Sequence, residues 1–185
     1  YKELTMTDKI DLVFDLGPGD GGKGGVVHKL ANHYKSHTVL KVGGAQGSHG
    51  VTTKNGHFAF SQWGCGTMED IPTHITDLMV VSPDALLAEA DALVYFGVIN
   101  PFDMLTIDEM ALCSTPFHGI TSRILEMTRK DKPRGTIGSG VGQAYRRQMT
   151  HPELVIRAGD LKNNLLDKLI LIRNAELEIC KNAIE

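Results

Sequence analysis

Only three cysteines occur in the 185 residues, Cys65, Cys113 and Cys180, and none forms a C-x-x-C pair. An odd, unpatterned set excludes a disulfide framework and a cysteine-built zinc site, and it predicts reduced thiols in a cytoplasmic setting. Positive charge is not in excess: 19 Lys and Arg stand against 22 Asp and Glu, a net charge of −3. A surface of that balance makes neither nucleic acid nor an anionic membrane an expected partner. No apolar run approaches the ~20 residues that cross a bilayer, and no secretory signal opens the chain. Internal repeats and low-complexity tracts are absent. Residues 1–9 read as a tag remnant or disordered start and carry no functional weight, with Met6 resembling a natural first residue. Residues 10–185 read as one α/β domain whose 42% hydrophobic content can build a sizeable core.

What the chain does have is glycine, 20 residues of it, gathered into three loops. The first follows an apolar run, Ile10 to Leu16, that reads as a strand. Gly17 to Gly25 is the loop, and Val26, Val27 and Leu30 then fall at helical spacing, predicting a helix over Lys23 to Tyr34. Strand, glycine loop and helix together cradle phosphates, because glycines let backbone N–H groups converge and the helix N-terminus adds partial positive charge. Gly17, Gly22 and Lys23 satisfy G-x-x-x-x-G-K. The Ser or Thr that should follow to hold Mg²⁺ is replaced by Gly24. The metal must then be held elsewhere, and Asp20 is the candidate: a carboxylate facing a polyphosphate needs a compensating cation or a proton to accept. The blander alternative is a turn with Asp20 as a helix cap.

Val39 to Val42 reads as the next strand, parallel to the first through a βαβ crossover. It runs into a second glycine loop, Gly43 to Gly50, carrying Gln46, Ser48 and His49. Ligands in such sheets sit outside the strand carboxyl ends, so the two loops are expected side by side. A lone histidine is usually an ordinary surface residue; its setting in a glycine loop after a strand favours function for His49. Thr52 to Phe60 holds Asn55-Gly56, a hairpin signal. Trp63, Cys65 and Met68 read as packing residues. Leu78 to Val81 reads as a strand, and Ser82-Pro83 as the start of a helix that Gly97 ends. Met104 to Ile107 reads as a strand and His118 to Arg129 as a helix; His74 and His118 read as ordinary. The third loop, Gly135 to Tyr145, has a basic flank and reads as a backbone nest for an anion around Thr136. Asp160 to Ile184 reads as one amphipathic helix with Leu161, Leu165, Leu166, Leu169 and Ile172 on its core face.

Five segments in order resemble the adenylosuccinate synthetase family. GDGGKGG (Gly19 to Gly25) is similar to its GDEGKGK, QGSH (Gln46 to His49) to NAGH, and VVSPDAL (Val80 to Leu86) to VLSPxAL. GTIGSGVGQAY (Gly135 to Tyr145) is similar to GTTGRGIGPAY, and RAGDL (Arg157 to Leu161) to RVGDL. The resemblance covers roughly residues 10–161 and about the first half of the family's fold, a mostly parallel, P-loop-like α/β sheet flanked by helices. It implies a cytoplasmic, homodimeric ligase of purine biosynthesis. Inosine monophosphate (IMP) is phosphorylated on O6 by GTP (ATP being the other donor considered), and L-aspartate then displaces the phosphate. By the same resemblance Asp20 takes the purine N1 proton and His49 acts on the transferring phosphoryl group. Asp20 and the Ser48 carbonyl hold Mg²⁺. Gly19, Gly21, Gly22, Lys23, Gly24, Gly25, Ser48, His49 and Gly50 line the donor phosphates. Asp20, Lys23, Gln46, Gly47, Ser48, His49 and Thr136 meet the substrate.

Departures from the pattern are Gly21 for Glu, Gly25 for Lys, Gln46 for Asn, Ile137 for Thr and Ser139 for Arg. His151 stands where the family's dimer-crossing arginine is expected, with Arg146 and Arg147 earlier. The opening IDLVFDLGPGDGGKG also resembles the phage branch that joins aspartate to deoxyguanylate, although retention of Asp20 leans toward IMP. Nothing resembles the family's donor-purine motif or aspartate loop, so the chain is expected to be an incomplete portion of a synthetase. A non-catalytic nucleotide-binding module and a simple P-loop kinase are the alternatives; Gly24 argues against the kinase.

Overall fold

A computed structural model describes residues 9–17, 21–163 and 165–185. In chain order the elements are α1 (Lys23–Tyr34), β1 (Val39–Gly44), β2 (His49–Thr53), β3 (Gly56–Phe60), β4 (Thr73–Val81), α2 (Pro83–Tyr95), β5 (Leu105–Ile107), β6 (Leu112–Cys113), α3 (Pro116–Met127), α4 (Val141–Thr150), β7 (Ile156–Arg157) and α5 (Leu166–Ile184). β4 is the centre of the main sheet. β1 lies parallel along one edge; β5 pairs parallel with its first half and β6 with its last. β7 closes the far side antiparallel to β6. β2 and β3 form a separate hairpin.

β4 is buried on both faces at its end, which is why its sequence is a continuous apolar run rather than an alternation. Met79 and Val81 join Phe60, Trp63, Leu93 and Ile172 in the main core. Val80 faces the other way, onto Val141 and Ala144 of α4. Between Lys41↔Ile75 and Gly43↔Met79 the β1–β4 register slips, a bulge in β4. Thr76 bridges it, donating from Oγ1 to the Lys41 carbonyl at 3.0 Å.

Two buried polar clusters tie the layers together. Glu89 on α2 accepts from the backbone N–H groups of Ser61 (2.8 Å), Gln62 (2.8 Å) and Trp63 (3.2 Å), so the segment after β3 is clamped to the helix. Glu176 on α5 accepts from Arg147 Nη2 at 2.5 Å and Gln143 Nε2 at 3.0 Å on α4. Arg147 is thereby committed to the interior, whereas Arg146 and His151 remain exposed. His118 has a structural place. It is fully buried at the third position of α3, in a capping box with Thr115.

Most expected elements are present, α1 with the expected bounds. The strand over Ile10 to Leu16 is not: residues 9–15 have no ladder partner among the described residues. The alternation is real, since Val13 and Asp15 turn inward while Leu12, Phe14 and Leu16 are exposed. A cavity of about 200 Å³ is lined by Val13 and by Val39, Leu40 and Val42 of β1. The hairpin turn is shifted by one: Thr53 pairs with Gly56, so Lys54-Asn55 is the loop. Ser82 precedes α2 as expected, but its side chain makes no cap hydrogen bond. The C-terminal helix begins only at Leu166, after a 3-10 turn over Ala158–Lys162. Leu161 and Leu166 accordingly face solvent, while Ile172 is fully buried. Among the described residues no helix is long and apolar enough to cross a membrane.

Candidate phosphate-binding cleft

Pro18, Gly19 and Asp20 lie outside the described residues, so the cleft is built from Gly21 onward. Gly22 caps α1 at φ 75°, a left-handed conformation that glycine adopts without a Cβ penalty. No acidic side chain occupies the first turn, and the N-cap residue Gly22 has no side chain with which to cap it. The helix directs its first N–H groups and its positive end toward the loop before it. Lys23, the first residue of α1, forms an ion pair with Asp15 of the preceding segment. A side chain at Gly21 would run into that same Asp15 carboxylate.

Gly24 explains the broken P-loop pattern. A Cβ there would stand 2.6 Å from the Gly50 carbonyl oxygen and 2.8 Å from the His49 carbonyl carbon. Serine or threonine cannot fit. What replaces the missing hydroxyl is contact between the start of α1 and the start of β2, which brings His49 against the glycine loop. His49 is half-buried. Its Nε2 lies 3.4 Å from where a Gly47 Cβ would be, so the ring folds back over Gly47. Ser48 is exposed immediately before it. A magnesium ion takes oxygen ligands and keeps several waters, and the Ser48 carbonyl is the described group expected to serve one. The carboxylate expected to complete that set, Asp20, lies outside the described residues; the described residues contain no group of three or more His, Cys, Asp or Glu that could hold a metal ion.

Gln46 is exposed, and its amide folds over Gly44, at a point that the Val141 side chain of α4 also approaches. The second glycine loop is thus joined to the first through His49 and Gly50, and to the start of α4 through Gly44. The third loop lies against α3. Its glycines pack on α3: a Cβ at Gly140 would meet the Gly119 nitrogen at 2.7 Å. Exposed Thr136 accepts from the Gly138 N–H at 3.3 Å, and Gly135 N–H donates to Glu126 at 2.6 Å. The described contacts do not connect Thr136 to Lys23 or His49. Within the basic flank, Arg129 pairs with Glu126 at 3.3 Å.

Two residues of the cleft escaped the sequence reading. Asp15 was hidden inside a run read as a strand. Lys41 is 7% exposed on the inward side of β1, where it lines the 200 Å³ cavity together with Lys23, Gly24, His49 and Cys65. The signal was available: in V-L-K-V a lysine shares a face with Val39, and such a position is either paired or used. Burial pushes the Lys41 pKa down, opposed first by Cys65 and then by Glu89, and pushes the Cys65 thiol up to about 11. A larger cavity of about 620 Å³ opens elsewhere, between His28, Lys54, Glu69, Asp70 and Phe96. It contains none of the expected site residues.

A family model described as adenylosuccinate synthetase matches residues 13–183. The adenylosuccinate synthetase of Pseudoalteromonas atlantica is 34% identical over 146 residues, 78% of this chain and 33% of the relative. That of Helicobacter hepaticus is 32% identical over 160 residues, 86% of this chain and 36% of the relative. Two solved structures share the fold. A fully ligated adenylosuccinate synthetase from Plasmodium falciparum superposes with a TM-score of 0.77 at 24% identity, covering 88% of this chain and 38% of that one. A succinoaminodeoxyadenylate synthetase from cyanophage S-2L, bound to dGMP and dATP, gives 0.57 at 18% identity over 79% and 39%. The chain spans about a third of the length of the curated relatives it matches.

Proposed function

This chain belongs to the adenylosuccinate synthetase family, and we propose that it carries the phosphate-handling part of a purine-nucleotide ligase that couples L-aspartate to IMP. GTP, with Mg²⁺, supplies the phosphoryl group that turns the purine 6-oxygen into a leaving group. Lys23 and the first N–H groups of α1 bind the phosphates, Lys23 exchanging its Asp15 partner for a phosphate oxygen. His49 donates to the transferring phosphoryl group, where a positioned donor counters developing charge. Asp20 accepts the purine N1 proton and, with the Ser48 carbonyl, holds the metal. Gln46, Gly47 and Thr136 contact the substrate nucleotide. The observation that carries this reading is the contact of Gly24 with the His49–Gly50 backbone, which holds the histidine at the loop that bears Lys23.

A second reading exchanges IMP for dGMP. It is favoured by the resemblance of the opening segment, IDLVFDLGPGDGGKG, to the phage branch. Asp20 favours IMP.

The test is to follow adduct and phosphate release with aspartate and Mg²⁺ in four arms, IMP or dGMP with GTP or ATP. The chain is expected to bind Mg²⁺ and polyphosphate, with adduct formed once the remaining two-thirds of the family's length is supplied. Adduct from the 185 residues alone would overturn that division of labour. Failure to bind any polyphosphate would overturn the reading of the cleft.

A further inference from the structure

β1 alternates in an unusual sense. Leu40 and Val42 are 60% and 61% exposed, while the intervening lysine is buried. A lysine held in the interior is unfavourable unless something compensates its charge. Among the described residues no acceptor takes a hydrogen bond from the Lys41 ammonium group, and no carboxylate forms an ion pair with it. The nearby carboxylate, Glu89, is engaged elsewhere, both of its oxygens being taken by the N–H groups of Ser61, Gln62 and Trp63. Cys65, which also lines the cavity, stays a neutral thiol at neutral pH, its pKa being raised to about 11. Lys23 across the cavity has its own partner in Asp15. The wall between α1 and β1 thus holds one lysine already neutralised and one whose charge has no direct partner, beside His49.

We propose that Lys41 is a second phosphate-binding cation of this cleft, facing a polyphosphate from the β1 side while Lys23 faces it from α1. The inference rests on the reading of the cleft as a phosphate site. A lysine suits the place because its ammonium is a compact point charge on a flexible stem that can reach an anion entering the cavity. The Glu89 carboxylate, spent on three N–H groups, offsets the charge from a distance without capturing it. Two cations on opposite walls favour a diphosphate or triphosphate over a single phosphate.

The probe is inorganic pyrophosphate, titrated calorimetrically into the wild-type chain and into Lys41→Met, Lys41→Arg, Lys23→Met and, as a surface control, Lys54→Met. Lys41→Met is expected to weaken binding about ten- to hundredfold, the loss of one charge-assisted hydrogen bond. Lys41→Arg is expected to retain most of the affinity, and Lys54→Met all of it. Full affinity in Lys41→Met alongside a loss in Lys23→Met overturns the inference and leaves the cleft intact. No binding by the wild type overturns both. Should Lys41→Met fail to fold, wild-type chain with ¹³Cε-labelled lysine supplies the measurement, Lys41→Arg assigning the resonance. A Lys41 signal that shifts with the pyrophosphate isotherm is the expected result; one that stays still while Lys23 moves overturns the proposal.

Discussion

Replacing Gly24 by alanine adds one carbon at the tightest contact of the cleft. That carbon would sit 2.6 Å from the Gly50 oxygen, 2.8 Å from the His49 carbonyl carbon and 3.0 Å from the Gly50 nitrogen. An ordinary carbon–oxygen approach is about 3.4 Å, so the backbone of β2 must retreat by roughly 0.8 Å on that comparison. All three obstructing atoms are main chain, and β2 is held to β3 by a ladder running from His49↔Phe60 to Thr53↔Gly56. Overpacking of this kind costs about 1–3 kcal/mol, against a gain of up to ~1 kcal/mol from replacing glycine in a helix. Gly25, next in the same helix, is the control, because nothing lies within 4 Å of its Cβ position. Gly25→Ala is expected to be neutral or to stabilise by up to ~1 kcal/mol, and Gly24→Ala to be about 1–3 kcal/mol less stable than it. Urea unfolding followed through Trp63, the single and fully buried tryptophan, measures both. In the complete enzyme a shift of His49 by nearly an ångström should lower turnover by about a hundredfold. Equal stability of the two variants, with pyrophosphate affinity and turnover unchanged in Gly24→Ala, would refute the argument that glycine is required for the approach of α1 to His49.

Further outcomes follow from the same geometry. Asp20→Asn in the complete enzyme should cost roughly 10²–10⁴-fold in turnover while nucleotide affinity persists; near-normal turnover would reduce Asp20 to a turn residue. His49→Ala should lower kcat far more than it raises KM, and an effect confined to KM or to thermal stability would make its role structural. Glu176→Gln leaves Arg147, 5% exposed, without its charged partner, and should destabilise by about 3–5 kcal/mol; a melting temperature equal to wild type would contradict this. His118 is buried neutral, its pKa lowered chiefly by burial, and its Nδ1 accepts from the Thr115 N–H at 3.1 Å. The unfolded chain therefore binds a proton that the folded chain refuses, so His118 costs stability as pH falls below about 6.5 and nothing above it. Urea midpoints between pH 8 and 5 should show that loss, and His118→Asn should reduce it; an unchanged slope would count against the assignment.

Much of the cleft was legible in the chain itself. G-x-x-x-x-G-K with Gly24 in the hydroxyl position, QGSH and the order of the five segments are local patterns, and the conformations they demand are set by a few adjacent residues. Gly22 adopts positive φ because the turn into α1 requires it, and α1 follows with the bounds that periodicity suggests. The hairpin, α2 and the last four residues of β4 were legible for the same reason, whereas Thr73 to Asp77 of β4 were not. What tertiary structure alone decided is which atoms meet. The alternation of Ile10 to Leu16 specifies an extended segment, but a strand is a relation to a partner, and among the described residues that segment has none. Gly24 reads in sequence as a lost metal ligand; only the packed structure shows the His49–Gly50 backbone filling the space a side chain would need. Arg147 and Arg146 are neighbours in sequence with the same charge, yet helix rotation buries one against Glu176 and leaves the other in water. Lys41 differs from any other lysine only because the fold turns it inward and has already committed Glu89 to the three N–H groups that follow β3. Local sequence sets backbone conformation; the partners of each charge are set by elements far apart in the chain, and those meet only once the sheet and helices have packed.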